Sequence, residues 1–242
     1  MTRAPVVMVV GAGDALGGAI ARRFAREGLT ACVVRRNADQ LAPLVAAIET
    51  SGGRAIPFGA DARLEEVMVD LVDRIEADIG PIRVSVHNIG ANVRFGIRET
   101  TARVYRKVWE MCAFSAFLLG RESARVMVPR GEGTILFTGA TASIRGGAGF
   151  AAFAGGKHAA RALAQSMARE LGPMGVHVAH SIIDGAIDTA FIRDNFPERY
   201  ALKAEDGIMN PDAIADAYWH LHTQHRSAWT HELDLRPWTE WS

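Results

Sequence analysis

The 242-residue chain reads as a single α/β domain, a doubly wound parallel sheet of seven strands with helices on both faces. Three observations predict this. Short runs rich in valine and isoleucine alternate with longer segments of helical period, the pattern of repeated strand–helix units. The strand candidates are apolar at consecutive rather than alternate positions, as in Val6-Val7-Met8-Val9-Val10, which a strand needs when helices cover both its faces. No internal repeat, low-complexity tract or linker divides residues 1–242, so they form one unit with an insertion at about 190–209.

In chain order, the strands are expected at Val6 to Val10, Ala31 to Arg35, Ala55 to Phe58, Val84 to Asn88, Thr134 to Thr138, Val176 to Ile183 and Glu232 to Leu235. The first is followed by a glycine-rich stretch and a helical run, Ala19 to Phe24. A long helix follows the fourth strand, and a small-residue helix spans Phe150 to Leu171. Asn210-Pro211-Asp212 places a capping side chain before a proline in the first turn, where its missing N–H costs nothing, and so opens a helix to about His225. The polar and aromatic mixture of 190–209 is expected to form a lid.

Composition restricts the function. Lysine plus arginine equals aspartate plus glutamate at 27 each, and no long basic run exists, so neither nucleic acid nor a membrane surface is an expected partner. A small molecule is. Cys32 and Cys112 lie far apart in apolar contexts, with no metal-ligand spacing and no disulfide framework, so no metal is expected. With no cleavable leader pattern and no apolar run of membrane-spanning length, the expected location is a reducing cytoplasm.

Between the first strand and the first helix lies Gly11-Ala12-Gly13-Asp14-Ala15-Leu16-Gly17-Gly18. Glycines there let the backbone turn tightly and approach a pyrophosphate, whose charge then sits at the positive end of a helix. Taken strictly, Gly-x-Gly-x-x-Gly fails, because Leu16 holds the third position. The bland alternative is a simple turn, but strand, loop and helix in this order favour nucleotide binding. About 20 residues further on, an NAD site places an acid for the ribose hydroxyls. Here stands Arg35-Arg36. Guanidinium groups would grip the extra phosphate of NADP through forked, charged hydrogen bonds, so NADP is the expected cofactor, with NAD the alternative. The competing reading is that these arginines only solvate a strand end.

Further along, Asp61-Ala62, His87-Asn88-Ile89-Gly90, Phe153-Ala154-Gly155-Gly156-Lys157 and Asp184-Gly185-Ala186-Ile187-Asp188-Thr189 follow in order. Over nearly its whole length the chain resembles the short-chain dehydrogenase/reductase family, whose fold is a single-domain Rossmann sheet. The glycine loop is similar to the family's Thr-Gly-x-x-x-Gly-x-Gly, with Val10 at the threonine and Ala15 at the middle glycine. The resemblance implies that Gly11, Gly13, Asp14, Leu16 and Gly17 wrap the pyrophosphate and that Asp61, with Ala62, accepts a hydrogen bond from the adenine amine. It implies that Asn88, Ile89 and Gly90 border the cofactor, that Gly185, Ile187 and Thr189 hold the nicotinamide carboxamide, and that Lys157 bonds the nicotinamide ribose.

The same resemblance exposes a departure. The family moves a proton with Asn, Ser, Tyr and Lys, and these positions fall on Cys112, Ala140, Phe153 and Lys157. A phenyl ring has no ionisable hydrogen, so the general-acid step, worth about 10²–10⁴ in rate, cannot pass through Phe153. Lys157 keeps its ribose role and loses the tyrosine whose pKa it would lower from about 10. Thr141 and Ser143 beside the vacant serine position are candidate hydroxyls, and Asp184, in place of a family proline, is a candidate acid whose alternative is a turn aspartate. His158 points away from Lys157, and among the tyrosines Tyr200 alone lies in a segment that could fold over the site.

Three functions compete: an NADP(H)-dependent oxidoreductase with a degenerate catalytic set acting on a fairly apolar small molecule, a nicotinamide-binding sensor or complex subunit without catalysis, and a non-redox enzyme on the same fold. The aromatic tail, Trp229, Trp238 and Trp241, together with the family's habit, points to a homodimer or homotetramer.

Overall fold

A computed structural model describes residues 3–240. In order, the elements are β1 (Val6–Val10), α1 (Leu16–Arg26), β2 (Thr30–Arg35), α2 (Ala42–Thr50), β3 (Arg54–Gly59), α3 (Glu65–Arg74), β4 (Ile82–His87), α4 (Ala102–Trp109), α5 (Ser115–Met127), β5 (Gly133–Thr138), α6 (Ala151–Leu171), β6 (Val176–Ile183), α7 (Ala190–Asn195), α8 (Pro197–Ala201), α9 (Pro211–Thr223) and β7 (Glu232–Leu235). Among the described residues, seven strands make one sheet in the order β3-β2-β1-β4-β5-β6-β7, every pair parallel.

The consecutive apolar strands have the physical cause expected of them. Val7 and Val9 of β1 enter one core with Phe24 of α1 and Tyr218 of α9, while Val6, Met8 and Val10 enter a second core with Leu71 of α3, Leu118 of α5 and Ala164 of α6. Both faces are therefore covered, and each core takes alternate residues of one strand. β1, β6 and β7 run over the residues the sequence indicates, whereas β2 to β5 begin one or two residues earlier. β4 stops at His87 rather than Asn88, because the Asn88 side chain turns to donate to the Gly11 carbonyl at 3.1 Å.

One other boundary departs from expectation. α9 ends at Thr223 and not His225, since Gln224 is extended and bound through its side chain to both the backbone N–H and the hydroxyl of Thr230, each at 2.8 Å. The segment 190–209 folds into α7, capped by Thr189, and α8, with Pro197 in its first turn, and it returns through a bridge between Ile187 and Met209. α4 and α5 join through a π-helical turn, Glu110–Phe114, that carries Cys112. Trp229 stacks on His177 of its own chain with centroids 4.8 Å apart, and the Trp238 indole donates to the Glu205 carbonyl. Trp241 lies outside the described residues. Among those residues no helix is long and apolar enough to cross a membrane, and no group of three or more His, Cys, Asp and Glu is placed to hold a metal.

Candidate active site

The sheet order reverses direction between β1 and β4, and at such a point the loops leaving the two strands part to open a crevice. A cleft of about 640 Å³ lies there. Its walls bring together Gly11 and Gly13 after β1, Arg35 and Arg36 after β2, Asp61 and Ala62 after β3, and Asn88, Ile89 and Gly90 after β4. Four segments far apart in sequence thus meet at one crevice.

The glycine loop shows why glycine is required. Gly11 has φ +92°, and a Cβ on it would lie 2.5 Å from the Asn88 carbonyl oxygen. At Gly17 an added Cβ would meet the Gly11 carbonyl at 2.4 Å, so Gly17 lets α1 pack beneath the loop. Gly13 and Gly90 face open space. The α1 N-terminus is preceded by Ala15, has no side-chain cap and no acid in its first turn, so its first N–H groups are left for an external acceptor. Leu16 is buried in the core and can offer an anion only its backbone N–H; Asp14 is exposed and outside the cleft wall.

At the opposite end of the cleft stands Asp61. Arg63 grips it: Nε donates to Oδ1 at 2.9 Å, Nη2 to Oδ2 at 2.5 Å, and the Arg63 backbone N–H to Oδ1 at 3.1 Å. The guanidinium holds the Asp61 carboxyl below the usual carboxylate range. Arg63, Asn37 and Gln40 line this end of the cleft and were not anticipated, although the spacing from Asp61 to Arg63 is that of an Asx turn and could have shown the backbone contact.

Beyond the cleft, Lys157 is buried, and its ammonium donates to the carbonyls of Ile89 at 3.1 Å and Thr138 at 2.8 Å. Burial lowers its pKa, with the neighbouring Cys112 opposing. Phe153 precedes it by one turn and packs with Val108, Cys112 and Ala142 in a third, smaller apolar cluster that Ala140 joins. Cys112 is fully buried against α6, where Gly156 gives it room, and burial pushes its thiol up. His87 stands behind Lys157. Ser115 Oγ donates to the Met111 carbonyl at 2.6 Å and so accepts from His87 Nε2 at 2.8 Å; burial, aided by the Lys157 charge, takes His87 down to about 3.

The remaining candidates separate clearly. Ser143 is fully buried, and its hydroxyl accepts the Ala140 N–H at 3.1 Å, which braces the loop. Thr141 is half-buried, and its hydroxyl donates to Asp184 Oδ1. The Thr189 hydroxyl caps α7 by accepting from Ile192 N–H at 3.1 Å, Ile187 bridges to Met209, and Gly185 lies against Pro237. None of these three lines the cleft wall. His158 bonds back to the Ala154 carbonyl at 2.9 Å, and the Tyr105 hydroxyl lies against Gly155 of α6. The Tyr200 hydroxyl accepts from Lys203 at 3.4 Å.

Comparison with known proteins shows the family and the fold. The model of the short chain dehydrogenase family matches residues 5–199. The short-chain reductase protein NovJ of Streptomyces niveus is 32% identical over 239 residues, covering 96% of this chain and 87% of that protein. A short-chain dehydrogenase from Rhodopseudomonas palustris superposes with a TM-score of 0.84 at 49% identity, covering 97% of this chain and 99% of the other. A metagenomic short-chain oxidoreductase solved in complex with NADP superposes with a TM-score of 0.82 at 23% identity, over 98% and 97% of the two chains, a likeness of fold.

Proposed function

The chain belongs to the short-chain dehydrogenase/reductase family, and on that premise we propose that it is an NADP(H)-dependent oxidoreductase for a fairly apolar small molecule, working with a reduced proton-transfer set. One observation carries the reading: a single cleft runs from the loop before an uncapped helix N-terminus to a paired arginine, Arg35 and Arg36. Those are the two positive ends that a pyrophosphate and a 2′-phosphate require. Fold neighbours solved with NADP bound are in keeping with it.

In this reading the Gly11–Gly13 loop and the first turn of α1 hold the pyrophosphate, and Arg35 and Arg36 hold the 2′-phosphate. Ile89 and Gly90, with Gly185, Ile187 and Thr189 across the site, border the nicotinamide. Two of the three Lys157 N–H bonds are spent on carbonyls, and the third is left for the ribose. Bound there, the nicotinamide supplies or accepts hydride. The chain itself contributes the orientation and a water-poor wall formed by Phe153, Ala140 and Cys112. Residues 190–209 act as the lid. A homodimer or homotetramer is supported by Tyr105, Trp109 and Phe117, exposed along the α4–α5 face. The buried free thiols of Cys32 and Cys112 suit a reducing cytoplasm.

Two measurements test this. NADPH should raise the melting temperature more than NADH, and label should pass from deuterated NADPH to one member of a panel of ketones, imines and enones. Stabilisation without label transfer supports the second reading, a nicotinamide-binding protein without turnover, which the ring of Phe153 and the engaged hydroxyl of Ser143 favour. Absence of stabilisation by either nucleotide removes both.

A further inference from the structure

We propose that Thr141 and Asp184 are the proton-handling pair of this site, Thr141 as the catalytic hydroxyl that meets the oxygen of a secondary alcohol and Asp184 as the residue that positions it and takes its proton. The proposal rests on the oxidoreductase reading above and adds to it the proton path that Phe153 cannot provide.

Three observations converge. Thr141 directly follows Ala140, and both flanking residues of its loop, Ala140 and Ala142, pack into the cluster of Phe153 and Cys112, so the loop lies against the ring that stands one turn before Lys157. Its hydroxyl hydrogen is committed to Asp184 Oδ1, which leaves the oxygen lone pairs as acceptors for a substrate O–H. Asp184 is buried, and its own backbone N–H is fixed to the Leu235 carbonyl at 2.8 Å. The other polar groups nearby are already engaged: Ser143 with Ala140 N–H, the Thr138 hydroxyl with Tyr218 at 2.8 Å, His87 with Ser115. The charged groups facing the carboxylate are Arg145 from the same loop, 4.0 Å from Oδ1, and Arg236 from the C-terminal segment, 3.4 Å from Oδ2. Arg236 is also bonded to Asp234, and Glu240 lies beside Gly185.

The step balances without another reagent. As the carbinol C–H bond breaks, its hydride passes to the oxidised nicotinamide; the substrate O–H proton moves to Thr141 Oγ1 while the Thr141 proton moves to Asp184 Oδ1. The alcohol loses two electrons and becomes a ketone, the nicotinamide gains them, and Asp184 then releases its proton to water. In reverse the same pair protonates a ketone oxygen.

The test uses 1-indanol, cyclohexanol and 2-cyclohexenol deuterated at the carbinol carbon, with NADP+, and follows deuterated NADPH in a single turnover. T141V should lower kcat by about 100-fold and T141S should recover it to within about fivefold, with NADPH affinity by calorimetry changed less than about twofold in both. D184N should lower kcat by a similar factor while the KM for the alcohol changes less than about twofold, a split that a merely structural clamp would not produce. If D184N does not fold, the contrast of T141V with T141S decides alone. Wild-type rates matched by T141V within about threefold overturn the pair and leave the oxidoreductase reading standing. A wild-type protein that binds NADPH and moves no label from any of the three alcohols or to any carbonyl of the panel overturns both.

Discussion

The Lys157 ammonium lies 5.9 Å from the centre of the Phe153 ring, one turn earlier on α6, and spends two of its hydrogen bonds on the carbonyls of Ile89 and Thr138. A buried amine so arranged serves a ligand more than it serves the fold, because burial depresses its pKa and charge inside the protein is costly. K157M should therefore weaken NADPH by about tenfold or more while the melting temperature of the free protein shifts little, the relief of a buried charge offsetting the two carbonyls left unpaired. Titration calorimetry and a thermal melt of the same samples check both halves.

Restoring one hydroxyl should not restore the familiar chemistry. In F153Y the new phenol would stand beside Ala140 and Cys112, neither of which can hydrogen-bond a substrate oxygen or hold a relay water as serine and asparagine do. Ketone reduction by F153Y is expected to stay within about tenfold of wild type, against the 10²–10⁴ or so that a working general acid supplies. Steady-state rates with 1-indanone decide it.

Cofactor choice should depend on the paired arginines. R35E/R36E is expected to weaken NADPH by about 100-fold and NADH by less than about threefold, since only the former carries the 2′-phosphate that a guanidinium grips. Equal losses measured by fluorescence titration would remove the NADP assignment.

Gly17 has no space for a methyl group, because its Cβ would sit 2.4 Å from the Gly11 carbonyl oxygen. G17A should destabilise the fold by about 1–3 kcal/mol and abolish stabilisation by NADPH, as the loop must move to admit the side chain. Urea denaturation with and without nucleotide reads both effects.

Acid should unfold the protein through its buried histidines. His87 is held down to about 3, and His180 and His222 to about 4, in each case chiefly by burial, against an ordinary value of 6.5. Their folded pKa values are depressed, so the unfolded chain binds more protons below 6.5, and stability present above that pH is lost as it falls toward 4. Each histidine contributes a slope of up to about 1.4 kcal/mol per pH unit in that window. H222Q should make the decline in melting temperature between pH 6.5 and 4.5 shallower; an unchanged decline would show that His222 does not take part.

The legibility of the fold followed the physics of each element. β1 could be read residue by residue because a strand buried on both faces is apolar throughout, and α9 could be started at Asn210 because its side chain caps the Asp212 N–H at 2.8 Å. The end of α9 could not be read, since it depends on a side chain of Gln224 reaching Thr230. Likewise Thr141 and Ser143 look equivalent in sequence, two hydroxyls in one short loop. Their difference is orientation: one is turned inward onto Ala140 N–H, and the other points across to a carboxylate 43 positions away.

The sequence by itself determined the alternation of strands and helices, the glycine loop before α1, the arginine pair after β2 and the absence of a hydroxyl at Phe153, because these rest on local patterns of burial, backbone freedom and residue chemistry. Only the tertiary structure decided that Arg63 occupies the carboxylate of Asp61, that Ser143 is sealed in its loop and that Thr141 is bound to Asp184. Such pairings depend on where the parallel strands end and on which way each side chain turns when their loops converge. The order of residues carries that information only through the packed fold.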